Sequence, residues 1–287
     1  MFRSLAIVSL ATSVAMAVIP SGISDGCSSF LKNLNTNTSS TTCFSALSTA
    51  ISDYTPGSPA AASPSAAKIG STLSNFCSSS VTTSCPESLI RSQLTDFYSA
   101  CSAELASNMN EDVLSIYDVL YAILPFRTAS CAQDDSGNYC AIKSKLPSSG
   151  QTPAQLQAAL MSSSSSPNFN TFGTNNIPFL FLSPSLASSD LCNVCTRNVM
   201  TAYLNFEAKV PYAPGLGNSL LLKGQTDLYS AITSTCGSTF LSGAGVQAAG
   251  GLSGGTLHSG GVLTVAKGQG IIAAALGALA VIVSSAF

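Results

Sequence analysis

The chain has 287 residues, of which 11 are basic and 13 acidic, while 46% are hydrophobic. A formal net charge of −2 offers no attraction for a phosphate backbone, which excludes nucleic acid as a partner, and charge this thin is unlike a disordered polyelectrolyte tail. There is no Trp and a single His, His258, so imidazole-based catalysis has almost nothing to work with.

Met1-Phe2-Arg3, the apolar run Leu5 to Val14 and Ala15-Met16-Ala17 occur in the order of a secretory signal peptide, with cleavage expected before Val18. Cys27 to Tyr54 is rich in Ser and Thr. Phe30, Leu31, Leu34, Phe44, Leu47 and Ile51 predict one or two short helices there, and Asn37-Thr38-Ser39, the one N-glycosylation sequon, lies between them. Pro56 to Ala67 reads as a Pro/Ala/Ser linker. Ser84-Cys85-Pro86-Glu87 has the form of a capping box with Pro in the first turn. The helix it opens carries Ile90, Leu94, Phe97, Tyr98, Cys101 and Leu105 at steps of three and four. Asn110 is placed to cap the next helix, with Glu111 and Asp112 in its first turn and Pro125 expected to close it. Val113, Ile116, Tyr117, Val119, Leu120, Ile123 and Leu124 make that helix apolar on so much of its surface that it should be central.

Order weakens from Leu146 to Ser185, with a short helix expected after Thr152-Pro153. Ser188, Ser189 or Asp190 then opens a predicted helix through Glu207, in which Cys192, Cys195, Val199, Tyr203 and Phe206 share a face. A last helix, Asp227 to Cys236, should stop at Gly237, and Ser238 to Gly261 reads as a Gly/Ser/Ala stalk. Ile271 to Phe287 is apolar, is followed by no basic residue, and is preceded by a spacer and the small residues Ser259-Gly260-Gly261. That is the order of a glycosylphosphatidylinositol (GPI) attachment signal; Ser259 and Ser253 are the attachment candidates. Two basic groups, Arg3 and Lys267, fall in the two ends, which leaves 9 basic against 13 acidic in the expected mature chain.

All ten cysteines, Cys27, Cys43, Cys77, Cys85, Cys101, Cys131, Cys140, Cys192, Cys195 and Cys236, lie between those ends. In an exported chain they read as up to five disulfides. About 945 complete pairings exist for ten cysteines, so connectivity stays open. A local Cys131–Cys140 bridge across the turn Asp134-Asp135-Ser136-Gly137-Asn138 is expected, and a Cys77–Cys85 bridge more weakly. Cys192-Asn193-Val194-Cys195 has no second CxxC and no nearby His, so it reads as two structural cysteines rather than a zinc or redox site.

Asp135-Ser136-Gly137 is one copy of a motif that aspartic proteases need twice, and a turn is the better reading. Gly251-Leu252-Ser253-Gly254-Gly255 fits a nucleophile elbow by letters only, without the strand before it or the helix after it. Glu87, Asp96, Glu104, Glu111, Asp112 and Asp118 could in principle supply a glycosidase pair, but nothing in their spacing marks one, and solvated helix faces are expected for most. No catalytic, cofactor or metal residue is assigned.

Leu94 to Cys101 with Glu104-Leu105, Tyr117-Asp118-Val119-Leu120-Tyr121, Pro125, Cys131, Cys140 and Leu191-Cys192-Asn193-Val194-Cys195 resembles a family of uncharacterised Ser-rich, Cys-rich secreted fungal proteins that commonly end in a GPI signal. The resemblance spans roughly Cys77 to Cys236. It implies a cell-surface or cell-wall location and carries no activity. Leu191 to Phe206 also looks like the first helix of a saposin-type lipid-binding domain, although only Cys236 follows to complete its bridges.

The expected architecture is an all-α, disulfide-stapled helical bundle. Its divisions are a signal peptide over 1–17, a Ser/Thr-rich segment over 18–70, a Cys-rich helical domain over 71–237, a stalk over 238–259 and a GPI propeptide over 260–287. The expected role is structural or interactive at the cell surface. The membrane is engaged through a GPI lipid, and cell-wall polysaccharide or protein are the candidate partners. The alternative is a lipid- or sterol-binding module.

Overall fold

The computed structural model describes residues 19–54, 65–143 and 168–242. The signal segment, most of the Pro/Ala/Ser linker, the helix expected after Thr152-Pro153, the Gly251–Gly255 motif, Ser253, Ser259 and the C-terminal apolar run lie outside them.

Asn37 divides the first two helices, α1 (Asp25–Thr36) and α2 (Thr38–Ala50). Its Oδ1 accepts the N–H groups of Ser39 at 3.0 Å and Ser40 at 3.1 Å, two donors that the first turn of α2 leaves unpaired. α1 buries Cys27, Leu31 and Leu34, and α2 buries Cys43, Phe44 and Leu47, each set at the three- and four-residue steps of one helical face. After a 3₁₀ turn (Ser52–Tyr54) come α3 (Ala66–Phe76), α4 (Ser79–Ser84) and α5 (Glu87–Ala100). Ser84 ends α4 rather than capping α5. Pro86 stands at the cap position, where no side chain bonds to the first turn, so the capping box read from the sequence is not formed. α5 also stops earlier than its apolar spacing suggests, giving way to a π-helical turn, Ala103–Ser107, that carries Glu104 and Leu105.

α6 (Glu111–Cys131) is the centre of the molecule and packs against α3, α5, α7 (Cys140–Lys143) and α10 (Val194–Lys209). Asn110 caps it as predicted, with Oδ1 accepting Asp112 N–H and Val113 N–H, each at 3.1 Å. Pro125 does not close it. The ring removes the N–H that would reach the Tyr121 carbonyl, yet the helix continues for six more residues because its C-terminal end is held by other parts of the chain. Phe126 and Ala129 are buried, Cys131 is bonded to Cys77, and Arg127 donates to the carbonyls of Phe76 at 2.9 Å and Ser78 at 3.0 Å. Burial of each large α6 side chain is worth roughly 1.5–3 kcal/mol, enough in sum to override one proline.

Beyond the Asp134–Asn138 turn, where Gly137 takes φ +77° and Gln133 pairs with Tyr139, the chain continues into α7. It is described again through α8 (Phe169–Thr174), a 3₁₀ turn (Ile177–Phe179), α9 (Ser188–Leu191), α10 (Val194–Lys209), a 3₁₀ turn (Leu216–Asn218) and α11 (Gln225–Cys236). Ile177 to Leu182 is wholly buried, an inward loop that its place in a weakly ordered stretch of sequence did not announce. The single helix expected from Ser188 to Glu207 is broken at Cys192-Asn193. Asn193 donates from Nδ2 to Asp190 O at 2.6 Å and accepts Thr196 N–H at 3.1 Å, closing α9 and capping α10. α11 ends at Gly237, φ +93°, as expected. Residues 238–242, expected to belong to a stalk, still pack on the bundle: Leu241 is buried and the Phe240 ring lies 5.2 Å from the Arg197 guanidinium.

Five disulfides staple the helices: Cys27–Cys101, Cys43–Cys85, Cys77–Cys131, Cys140–Cys195 and Cys192–Cys236. Neither local bridge expected from the sequence is present. The turn after Cys131 does bring the chain back, but Cys131 ends α6 on the side facing α3, whereas Cys140 begins α7 on the side facing α10. Cys77 and Cys85 bracket α4 and each bonds to a different neighbouring helix. The two CxxC cysteines do not share a face either, since the break at Asn193 sends Cys192 to α11 and Cys195 to α7. The first two bridges also bind α1 and α2 to the core shared with α5 and α6.

Candidate functional site

Of the six carboxylates weighed from the sequence, Glu87, Asp96, Glu111 and Asp112 are exposed as expected, and Glu104 and Asp118 are not. Asp118 is fully buried on α6. A carboxylate removed from water must be met by donors. Four arrive from the irregular segment between α10 and α11. Tyr212 Oη and Ser219 Oγ donate to Oδ1, the latter at 2.7 Å, while the N–H groups of Leu220 and Leu221 donate to Oδ2 at 2.6 and 3.3 Å. Ser219 Oγ in turn accepts Leu222 N–H at 2.8 Å. This segment holds Pro211, Pro214 and Gly215 (φ +83°), which keep it out of a regular helix, and the carboxylate supplies the acceptor its backbone lacks. Burial pushes the Asp118 carboxyl up to about 6, against the downward pull of its four donors.

Aromatic rings wall the cluster. Tyr117 meets Phe97 and Tyr212 edge-on at 5.3 and 5.5 Å, and Tyr121 meets Phe206 and Tyr212 at 5.1 and 5.0 Å. Burial raises the Tyr117 phenol to about 12 and drives Tyr121 and Tyr212 higher, so all three stay protonated donors. Tyr121 Oη donates to Val210 O and Tyr203 Oη to Pro178 O, both at 2.5 Å. Gly173 lies under the Leu220 carbonyl, where a Cβ would sit only 2.6 Å from that oxygen. Asp118, Ser219 and Tyr212 thus form a sealed hydrogen-bonding centre. With no exposed atom on the carboxylate, its chemistry is to hold a loop.

Glu104 is buried beside the Cys27–Cys101 bridge, and its Oε1 accepts Ser24 N–H at 2.6 Å, just before α1. The two sulfurs and the carboxylate lie within 4.8 Å of one another, but the sulfurs are bonded to each other and only one ligand group remains. Cys192 and Cys195 are likewise consumed by separate disulfides, so the CxxC is not a dithiol.

The open face of the molecule has a different character. A groove of about 830 Å³ runs between α2 and the α3–α4 corner. Thr41, Ser45 and Thr49 line one side, Ser78, Ser80 and Ser84 the other, with no charged side chain and only Ala46, Ala50 and Val81 as apolar lining. Asn37, the sequon residue, stands half-buried at the start of α2 and uses only its Oδ1 in the cap.

Nothing in the sequence marked Asp118 apart from its neighbours. The one available signal was its position, since it falls within a run that is apolar on every side of α6. The fold and its bridges define an all-α, disulfide-stapled bundle. Comparison with family models, with curated proteins and with solved structures gave no match.

Proposed function

We propose that the chain is an exported, disulfide-locked helical domain held at a cell surface by a GPI lipid, with a structural or interaction role toward cell-wall polysaccharide or protein. The observation that carries this reading is that all ten cysteines are closed into five bridges between helices, and such bridges form and persist in an oxidising compartment. The signal-like start, the GPI-like end and the resemblance to secreted fungal proteins agree with it. Asn37 suits glycosylation, because a glycan on Nδ2 leaves the Oδ1 cap of α2 intact. A lipid- or sterol-binding role draws no support from the groove, whose lining is rich in hydroxyl groups. No helix among the described residues is long and apolar enough to cross a membrane.

Treating intact cells with phosphatidylinositol-specific phospholipase C should release the protein. Retention in the membrane with the C-terminal apolar run still attached would overturn the anchor.

A further inference from the structure

At the junction of α10 and α11, Gln225 Nε2 donates to Glu207 Oε2 at 2.7 Å. Two further buried oxygens of the same pair, Glu207 Oε1 and Gln225 Oε1, meet no donor among the described residues. Two acceptors left dry on the two partners of one hydrogen bond are unfavourable in any protonation state but one. We propose that Glu207 carries a proton on Oε1 and donates it to Gln225 Oε1, so that acid and amide close a two-bond ring that latches the start of α11 to the end of α10 in a pH-dependent way.

Among the described residues, the polar groups around the pair are engaged elsewhere or exposed. Tyr121 on the facing α6 and Tyr203 one turn back on α10 are the ionisable groups that sense Glu207, and their hydroxyls are already given to Val210 O and Pro178 O. Asp118, also on α6, is saturated by its own donors. Lys209 is exposed and paired with Glu87 at 3.3 Å. Lys223 and Asp227, two residues to either side of Gln225, are exposed. Burial raises the Glu207 carboxyl above its ordinary value, with the Gln225 N–H pulling the other way. Because the folded value is raised, the latch is complete in acid and is lost as pH rises through that value. α11 is held at its far end by Cys192–Cys236. In acid the start of the last described helix is held by two bonds; in base it keeps only the Gln225 N–H to Glu207 Oε2.

The test is a carboxyl-carbon NMR titration of Glu207 in the secreted chain, together with hydrogen exchange of the first turn of α11 corrected for the intrinsic rate. The Glu207 midpoint should lie above the ordinary value of about 4.3. Protection of the α11 turn should fall above that midpoint by up to about tenfold per pH unit, the limit for one proton. Glu207→Gln replaces acid–amide with amide–amide pairing, which keeps both bonds without titrating, so its protection should be flat. A Glu207 midpoint at or below about 4.3, or the same loosening in Glu207→Gln, would overturn the latch. Should that variant not fold, the titration of the unaltered protein decides alone.

Discussion

Replacing Asp118 by alanine strands four donors around a void. Tyr212 and Ser219 hydroxyls can rotate toward other acceptors, but the backbone N–H groups of Leu220, which is half-buried, and Leu221, which is buried, are fixed by the fold. At about 2 kcal/mol for each orphaned backbone donor, Asp118→Ala should cost about 4 kcal/mol. For a domain of this size that lowers the thermal midpoint by about 8–16 °C. Asp118→Asn is the informative companion. Its carbonyl oxygen can occupy the Oδ2 position and keep both backbone bonds, and its NH₂ then faces two hydroxyls able to accept. The expected loss is about 1 kcal/mol. The two variants should also differ from the parent in pH dependence. The Asp118 carboxyl is raised to about 6 in the fold, so protonation favours the folded state. The parent's stability should therefore rise as pH falls from neutral toward the ordinary carboxylate range, by up to about 3 kcal/mol from this residue, and Asp118→Asn should lack that rise. Thermal unfolding by circular dichroism at pH 4.5 and 7.5 measures all of this. If Asp118→Ala melts within about 2 °C of the parent, or Asp118→Asn is equally damaging, the reading of the carboxylate as the keystone of the 212–222 segment fails.

Three further variants probe local geometry. Gly173→Ala places a methyl 2.6 Å from the Leu220 carbonyl oxygen and should destabilise by about 1–3 kcal/mol. Gly70→Ala, in α3 with nothing within 4 Å of the new Cβ, should stabilise by about 0.5–1 kcal/mol, so a shared sign for the two glycines in chemical denaturation would refute the close-approach argument. Asn193→Ala removes the cap of α10 and the bond to Asp190 O; a loss of about 1 kcal/mol is expected, read as a lower thermal midpoint, and an unchanged midpoint would show that the break in the CxxC needs no cap.

Local chemistry written in short stretches was legible. Asn110 caps where the sequence places it, Asn37 falls between two helices, Gly237 ends α11, and the stripes of α5 and α6 face inward apart from Tyr98, which is exposed, because each of these depends on residues within a turn or two. What depends on distant partners was not. Pro125 would end an isolated helix, and only Phe76, Ser78 and Cys77, contributed by α3 and the residues just after it, show why it does not. Asp118 looks like any helical aspartate until the segment some hundred residues later folds over it. Cysteine pairing is of the same kind, since every bridge joins residues at least 42 apart and nearest neighbours in sequence were the wrong guide.

The order of the bridges along the chain has a topological consequence. Cys27–Cys101, Cys43–Cys85 and Cys77–Cys131 overlap, so a peptide bond cut anywhere between 27 and 131 leaves its two sides covalently joined. Cys140–Cys195 and Cys192–Cys236 overlap in the same way and protect every bond between 140 and 236. No bridge spans Ala132 to Tyr139, whose exposed tip is Asp135 to Asn138. A nick in the Pro56 to Ala67 linker, or between 144 and 167, is silent until the disulfides are reduced. A nick in the turn itself separates the protein into two interlocked halves with no bond between them, and the hydrogen bonds that Asp118 draws from Tyr212, Ser219, Leu220 and Leu221 become a contact between two molecules.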